Sequence, residues 1–321
     1  MRAVVMSALV FLAFCAFLRG ASSACHPPKY ERYPDHTMCL KPRNCAPGKV
    51  LVSRDTQLSI YDKDALVRIH NKLRSFVATG KLPHHPPAKN MRELTWDDEL
   101  AEVAQRWAEQ CTFGHDRNRS VERFAVGQNV AYEWWSPGPA PMIILSSTIA
   151  MFNEVDKPGY PAPYISQFQV VPQTGHFTQI VWADTSRIGC GRSVYNETKN
   201  GKVGETKLLV CNFGKAGNFI NQPVYEAGEP NCPVFSNHYK GLCTTNKGNK
   251  EFKDPCQLET FKSHYLALCN DELFTSLGFF GAKYNPDRDD SHPILLSLGL
   301  MLLAAAVMGL LFCMYRRFLL L

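Results

Sequence analysis

Residues 175–185 read GHFTQIVWADT, and residues 207–219 read KLLVCNFGKAGNF. The first stretch predicts a short turn-rich element and leads into strand-like IGCGRSVY, and the second begins as another strand. Asn200-Gly201 lies between the two strands and is a strong signal for a tight hairpin turn. The sequence therefore predicts an antiparallel hairpin, in which Cys190 and Cys211 lie on neighbouring strands where a disulfide forms easily.

Three segments upstream of this hairpin show helical periodicity. The first starts at Asp62 and ends before Gly80, the second runs from Trp96 to Cys111 with Thr95 as its N-cap, and the third covers 143–155. Helices that alternate irregularly with antiparallel strands predict an α+β fold with helix, sheet and helix layers.

Apolar blocks mark both ends of the chain. Residues 1–24 have a basic start, an apolar run and small residues at the end, which predicts a secretory signal cleaved after Ala24, with an uncleaved signal anchor as the alternative. Residues 294–315 carry no charge and are long enough to span a bilayer. Arg316 and Arg317 follow them and favour a retained span with a cytoplasmic C-terminus over replacement of the tail by a lipid anchor.

These boundaries predict a single-pass type I protein at the cell surface, with a lipid-anchored or secreted form as the alternatives. The segments between the signal and the short C-terminal tail are an N-terminal arm, a body, a cysteine-rich extension, a stalk and the span. They cover, in that order, residues 25–61, 62–227, 228–269, 270–293 and 294–315, and the cytoplasmic tail is 316–321.

The charge balance excludes one class of partner. The chain has 35 basic and 29 acidic residues, and four of the arginines lie in the two terminal apolar segments. The ectodomain that remains is nearly neutral, which gives no electrostatic reason to expect binding to nucleic acid.

Cysteine usage agrees with an oxidising compartment. Of the twelve cysteines, Cys15 lies in the signal and Cys313 in the span, which leaves ten for five disulfides. Cys190 is expected to pair with Cys211. The arm cysteines with the one on the second helix should form two more bridges, and the last four should form two among themselves, with the pairing inside each set left open; these sets are Cys25, Cys39, Cys45 and Cys111, and Cys232, Cys243, Cys256 and Cys269. The sequons at Asn118 and Asn196 predict N-glycosylation.

Two of the ten histidines stand out. His115 follows the second helix in CTFGHD, and His176 lies in GHFTQIVW. Two neutral imidazoles that meet in the fold are able to share a divalent ion, with zinc or copper favoured, and a nearby carboxylate would orient them. His70, on the first helix, is interpreted instead as a packed and hydrogen-bonded core residue.

Four motifs resemble the CAP superfamily, which comprises cysteine-rich secretory proteins, antigen 5 and pathogenesis-related 1 proteins. GHFTQIVWADT and LLVCNFGKAGNF resemble its two signatures, and IHNKLRS and LTWDDELAEVAQRWAEQCTFGHD resemble its first- and second-helix regions. The likeness covers Asp62 to Tyr225 and is greatest to arthropod antigen 5 and to membrane-tethered glioma pathogenesis-related proteins. It implies a disulfide-stapled three-layer α-β-α sandwich.

The resemblance also implies a cavity lined by two histidines and two acidic residues. His115, His176 and Glu154 match three of these positions. The fourth, the glutamate of a G-E-N motif, is replaced here by Gln128 in VGQNVA, as in antigen 5 proteins. The loss of one carboxylate puts both metal binding and hydrolysis in question.

Members of the family bind sterols, fatty acids or other small lipids, and some bind zinc through the two histidines. The resemblance therefore implies an aromatic lipid loop, with Tyr160, Tyr164 and Phe168 in PGYPAPYISQFQVV, although we favour the interpretation that these rings cover the core. Few cysteines follow Glu229, which argues against the channel-regulating region of reproductive members.

Three functions follow as hypotheses. The first, which we favour, is a tethered binding module without enzymatic activity that captures a small hydrophobic ligand or an extracellular protein. The second is a metal-assisted hydrolase or protease that uses His115, His176 and Glu154. The third is a surface antigen or immune modulator with a vestigial cavity.

Overall fold

The computed structural model describes residues 25–52, 57–138, 144–245 and 254–269. The predicted signal, stalk, span and cytoplasmic tail lie outside the described residues. Within the described ranges, no helix combines the length and the apolar character needed to cross a membrane.

A mixed sheet forms the centre of the molecule. Its strands are β1 (Val50–Leu51), β2 (Thr95–Trp96), β3 (Val126–Trp135), β4 (Arg187–Lys199) and β5 (Lys202–Gly214). The order is β1-β4-β5-β3, antiparallel throughout, and β2 pairs in parallel with β4. Strand β3 is therefore an edge of the sheet, and no prediction from the sequence had placed a strand there.

The predicted hairpin is confirmed. Strands β4 and β5 are joined by Asn200 and Gly201, with φ angles of 50° and 74°. Positive φ at both central residues is the geometry that Asn-Gly favours in a two-residue turn. Cys190 and Cys211 face each other in the register and form a disulfide.

The described residues form five α-helices besides the sheet. They are α1 (Ile60–Ala78), α2 (Asp98–Ala108), α3 (Ile144–Asn153), α4 (Gly175–Ile180) and α5 (Glu259–Cys269), the last with a kink at Tyr265. Short 3-10 turns occupy Pro28–Arg32, Thr37–Cys39, Ala162–Ile165 and Pro255–Gln257, and an irregular turn covers Val155–Gly159. The turn-rich stretch GHFTQI is helix α4.

The second helix is shorter than its apolar stripe predicts. Thr95 is not the N-cap. The backbone amides of Thr95 and Asp97 donate to the carbonyls of Ser186 and Ile188, so this segment is part of the sheet. Asp97 caps the helix instead, accepting from the Leu100 amide at 3.1 Å. At the other end Cys111 has a φ of 54°, which is incompatible with a helix.

Helices cover both faces of the sheet, as predicted. Helix α2 packs so closely on β4 that a Cβ at Gly189 or Gly191 would overlap the backbone of Ala101 or Gln105. On the opposite face, His70 of α1 contacts the ring of Phe213, with 5.6 Å between centroids. The fold is thus a three-layer α-β-α sandwich.

Buried polar groups on α1 fix the connection from α4 to β4. Arg74 is fully buried and donates to the carbonyls of Arg92, Ile180, Trp182, Ala183 and Thr185. Burial lowers the pKa of its guanidinium to about 9, and the charge of Arg92 acts in the same direction.

His70 is the packed core residue that the sequence predicts. Its Nδ1 donates to the Leu66 carbonyl at 2.8 Å, and burial lowers the pKa of the imidazole to about 4.

All five disulfides fall within the predicted sets. The pairs are Cys25–Cys39, Cys45–Cys111, Cys190–Cys211, Cys232–Cys243 and Cys256–Cys269. The second of these ties the N-terminal arm to the end of α2. The extension docks on α1, where Arg68 binds Asp254 at 2.9 Å and Tyr265 contacts Asp62.

Candidate functional site

Glu154 organises the first half of the site. It follows α3 directly, and its Oε2 accepts from the backbone amides of His176 and Phe177 at 3.0 and 3.1 Å. Thr174, at the N-cap of α4, makes no side-chain cap bond. The carboxylate of Glu154 therefore satisfies amides that the helix leaves without partners.

The same carboxylate also holds the imidazole of His176. Glu154 Oε1 lies 2.6 Å from His176 Nδ1, and the two side chains are 15% and 33% exposed. Because a carboxylate only accepts, Nδ1 is the donor, and Nε2 of the neutral ring keeps its lone pair. Asn129 adds a bond from its amide to the His176 carbonyl at 3.3 Å.

His115 and Gln128 form the second half. His115 lies in the loop after α2, where the Trp107 indole donates to the Gly114 carbonyl at 2.9 Å. Gln128 Oε1 accepts from the Asp116 amide at 2.9 Å and lies 3.3 Å from His115 Nδ1. His115 Nδ1 is therefore a donor as well, and its Nε2 is an acceptor.

The two halves meet around edge strand β3. Gln128 lies on the α2 side of the strand, where its amide donates to Asn212 Oδ1 at 3.0 Å, and its neighbour Asn129 reaches His176 on the other side. Burial lowers the pKa of His115, and the charges of Arg119 and His176 act in the same direction.

The donor set lacks the ligands of a closed metal site. Both imidazoles offer Nε2, and Glu154 on Nδ1 is the outer carboxylate that often orients a metal-binding histidine. Among the described residues, no group of three or more His, Cys, Asp or Glu side chains is arranged to hold a metal. Gln128, where the family has a glutamate, adds no anionic ligand.

The predicted aromatic loop divides into a buried and an exposed part. Tyr160 and Phe168 are 2% and 3% exposed, whereas Tyr164 is 39% exposed. The Tyr160 ring lies 6.0 Å from that of Phe177, the residue after His176, and 6.3 Å from that of Phe168.

Further rings carry this series to the surface. Phe168 contacts Trp182 at 5.7 Å, and Trp182 contacts the half-exposed Phe219 at 6.4 Å. Val170 and Ile220 are also exposed, and they lie close in sequence to Phe168 and Phe219. The predicted site residues did not include Phe177, Trp182 or Phe219, although all three lie in the two quoted motifs.

The two sequons differ in setting. Asn118 lies in the exposed loop between α2 and β3, and Asn196 is an exposed residue of strand β4.

Comparison with known proteins agrees with this architecture. Residues 67–213 match the family model described as CAP, the cysteine-rich secretory protein family. Venom allergen 3 of Solenopsis invicta is 44% identical over 205 residues, which are 60% of this chain and 83% of the relative. Venom allergen 5 of Dolichovespula arenaria is 41% identical over 201 residues, 60% of this chain and 94% of the relative.

Among solved structures, the crystal structure of NaASP2 with Zn2+ is 27% identical, with a TM-score of 0.46, and the match covers 60% of this chain and 98% of that one. The identity to the venom allergens and their coverage, together with the family match, place this chain in the cysteine-rich secretory protein (CAP) family, related to arthropod antigen 5.

Proposed function

We propose that this chain is a membrane-tethered extracellular binding protein that captures a sterol at the His115–His176 site. One observation carries the proposal: Glu154 holds His176 in the tautomer that leaves Nε2 as an acceptor, and the next residue, Phe177, begins an aromatic series that reaches the surface. A polar acceptor beside apolar rings suits an apolar ligand with one hydroxyl group.

The lowered pKa of His115 favours a ligand hydroxyl over a ligand carboxylate. A sterol hydroxyl donates to a neutral Nε2, whereas an ionised fatty acid has no proton to donate. The lowered pKa of His115 works against the imidazolium form that would attract a carboxylate. We therefore rank a sterol above a fatty acid, and both above a protein partner.

The extracellular placement is supported by the five disulfides, which suit an oxidising compartment, and by relatives named as venom allergens. In this proposal residues 1–24 supply the export signal, and residues 294–315 supply the retained span.

A divalent metal is the second occupant that we propose for the two Nε2 atoms. His115 and His176 would hold zinc or copper, and Glu154 would orient His176. Bound zinc would supply Lewis acidity at the ligand oxygen. Because only two protein ligands are present, we expect weaker binding than at sites with three or four ligands.

The deciding experiment measures binding of a radiolabelled sterol to the full chain, expressed through a eukaryotic secretory pathway. His176→Gln should weaken binding about tenfold, the size of one lost hydrogen bond. His84→Asn, at an exposed histidine in the proline-rich loop, is the matched control and should leave binding unchanged. Stronger competition by palmitate than by unlabelled sterol would favour a fatty acid.

The double substitution His115→Gln with His176→Gln separates the other hypotheses. Sterol binding that survives it would support a vestigial cavity. The Glu154–His176 pair also has the arrangement of a carboxylate-oriented base, which favours a hydrolase as the second candidate. Hydrolysis of a peptide or ester that disappears with His176→Gln but not with His84→Asn would establish that activity.

A further inference from the structure

A second concave site lies between the N-terminal arm and the loop before β3. It has a volume of about 560 Å³ and includes Arg32, Tyr33, Arg117, Asn118 and Glu122 in its walls. This volume is within the range of about 300–1,000 Å³ typical of small-molecule sites. None of the four residues of the candidate site lines the cleft, although Arg117 follows His115 by two positions, and one of its walls carries a sequon.

We propose that this cleft binds the first sugars of an N-linked glycan attached to Asn118. The inference rests on the export that the proposed function includes, because asparagine is glycosylated only in the secretory pathway. It commits to a single occupant, since the attachment point is itself part of the wall.

The backbone around the attachment point is held by the arm. The Thr37 amide donates to the Asn118 carbonyl at 3.1 Å, and His36 Nε2 donates to the Ser120 carbonyl at 2.8 Å. The backbone amide of Asn118 donates to Asp116 Oδ1 at 2.9 Å. Asn118 is exposed but starts from a fixed position, so a sugar attached there begins at the edge of the cleft.

The walls have the chemistry that binds carbohydrate. Tyr33 is 50% exposed, and the Arg32 guanidinium lies 5.7 Å from its ring centroid. An aromatic ring offers an apolar face to the C–H face of a sugar, and its hydroxyl offers a polar end. The charged groups of Arg117 and Glu122 supply donors and acceptors for sugar hydroxyl and acetamido groups.

A seated glycan would link two parts of the chain that an ion pair already connects. Arg32 of the arm pairs with Glu122 of the loop at the same cleft. Both side chains are largely exposed, and exposed ion pairs contribute little. The glycan would be the larger contact between arm and loop, and it would limit access of enzymes to its own linkage.

The second sequon provides an internal comparison. Asn196 is exposed on β4, opposite Val50 of β1 and Glu205 of β5, and is not part of the cleft. A glycan there should be open to enzymes.

The test measures the rate at which a peptide-N-glycosidase releases glycans from the full chain, followed by mass spectrometry of the Asn118 and Asn196 peptides. We expect glycan release at Asn118 to be about tenfold slower in the native chain than after denaturation. This factor corresponds to a native chain in which the glycan lies outside the cleft only about a tenth of the time. Release at Asn196 should change little on denaturation. Tyr33→Ala should remove most of the protection at Asn118, whereas Tyr132→Ala, at a ring of similar exposure on β3, should not.

Several results would overturn the inference. A glycan on Asn196 with Asn118 unmodified would reject the cleft while leaving export intact. A chain with neither asparagine modified would reject the inference too, but it would leave the disulfide evidence for export unchanged. Equal native and denatured rates at Asn118, or slow release that Tyr33→Ala leaves unchanged, would show that the cleft does not hold the sugar.

Discussion

Glu154 accepts one hydrogen bond from the ring of His176 and two from the backbone amides of His176 and Phe177, in the first turn of α4. One carboxylate thus sets both the position of the helix and the tautomer of the imidazole. It is a positioning residue: its oxygens are occupied by protein donors, and His176 Nε2 is the atom that we propose faces the ligand.

Replacing Glu154 should separate these two roles. Glu154→Gln keeps an oxygen for the two backbone amides but turns its NH2 group toward Nδ1, which forces the proton of His176 onto Nε2. We expect a loss of about 1 kcal/mol of stability, together with loss of zinc binding. Nitrogen NMR of the His176 ring reports the tautomer directly.

Glu154→Ala should cost more stability, about 3 kcal/mol, because three donors lose their acceptor. Glu31→Gln, at an exposed position of the arm, is the matched control and should change neither quantity. An unchanged tautomer in Glu154→Gln would contradict the assignment of Glu154.

Gln128 marks the position at which this chain departs from the family pattern. Its amide donates to Asn212 Oδ1, and Asn212 Nδ2 in turn donates to the Leu100 carbonyl at 3.3 Å. Gln128→Glu would place two acceptors against each other, and we expect a stability loss of about 1–2 kcal/mol. It should also raise the zinc affinity and the pKa of His115, because a negative charge then lies beside the imidazole.

Calorimetric titration with zinc and thermal unfolding would measure both effects of this substitution. Gln257→Glu, at an exposed position of the extension, is the control for added charge. Unchanged zinc affinity in Gln128→Glu would mean that residue 128 does not face the metal.

His70 should make the fold sensitive to acid. Its pKa is lowered from 6.5 to about 4 in the folded chain, so the folded state resists a proton that the unfolded state accepts. Stability is full above pH 6.5 and falls as the pH drops toward about 4. Between pH 7 and pH 5 the contribution lost is about 2 kcal/mol.

Chemical denaturation at several pH values would check this slope. His36 and His115 also have lowered pKa values and add to the slope, so the measured quantity is the difference between the wild-type chain and His70→Gln. The variant should show a slope that is shallower by about 2 kcal/mol over that range. Equal slopes would show that His70 does not titrate between the two states.

Local signals in the sequence were sufficient for much of the fold. Asn200-Gly201 predicts the hairpin because an Asn-Gly pair accepts positive φ at both positions. The shared burial of Leu66 and His70 on α1 follows from helical periodicity, because the two residues are four positions apart. Thr95, in contrast, resembles a helix N-cap in sequence, but its segment pairs with β4. Such a tertiary contact cannot be predicted from the neighbouring residues alone.

The site shows the same division. The motifs pointed to Glu154 and His176, but the bond between them depends on how α3 and α4 approach each other. Strand β3 escaped prediction because VGQNVAYEWW includes two buried polar side chains, Gln128 and Asn129, and Gln128 is bonded to another polar group, Asn212. Periodicity in hydrophobicity does not detect a strand whose buried positions are amides.

Arg74 provides the strictest test of how the scaffold supports the site. It is buried, and no acidic side chain in the described part of the chain is hydrogen-bonded to it. Its five carbonyl acceptors include Ile180 and Trp182, at the end of α4. Arg74→Met would leave these carbonyls without their donor, and we expect a loss of about 4 kcal/mol, among the largest effects of a single substitution.

Arg74→Lys should recover only part of that loss, because an ammonium has three donors and lacks the planar fork that spans these carbonyls. Arg187→Lys, at an exposed arginine of β4, is the control and should cost less than about 0.5 kcal/mol. Since α4 carries His176, the Lys variant should also show weaker sterol binding than its stability alone explains. Binding that remains at the wild-type level in folded Arg74→Lys would confine Arg74 to the core.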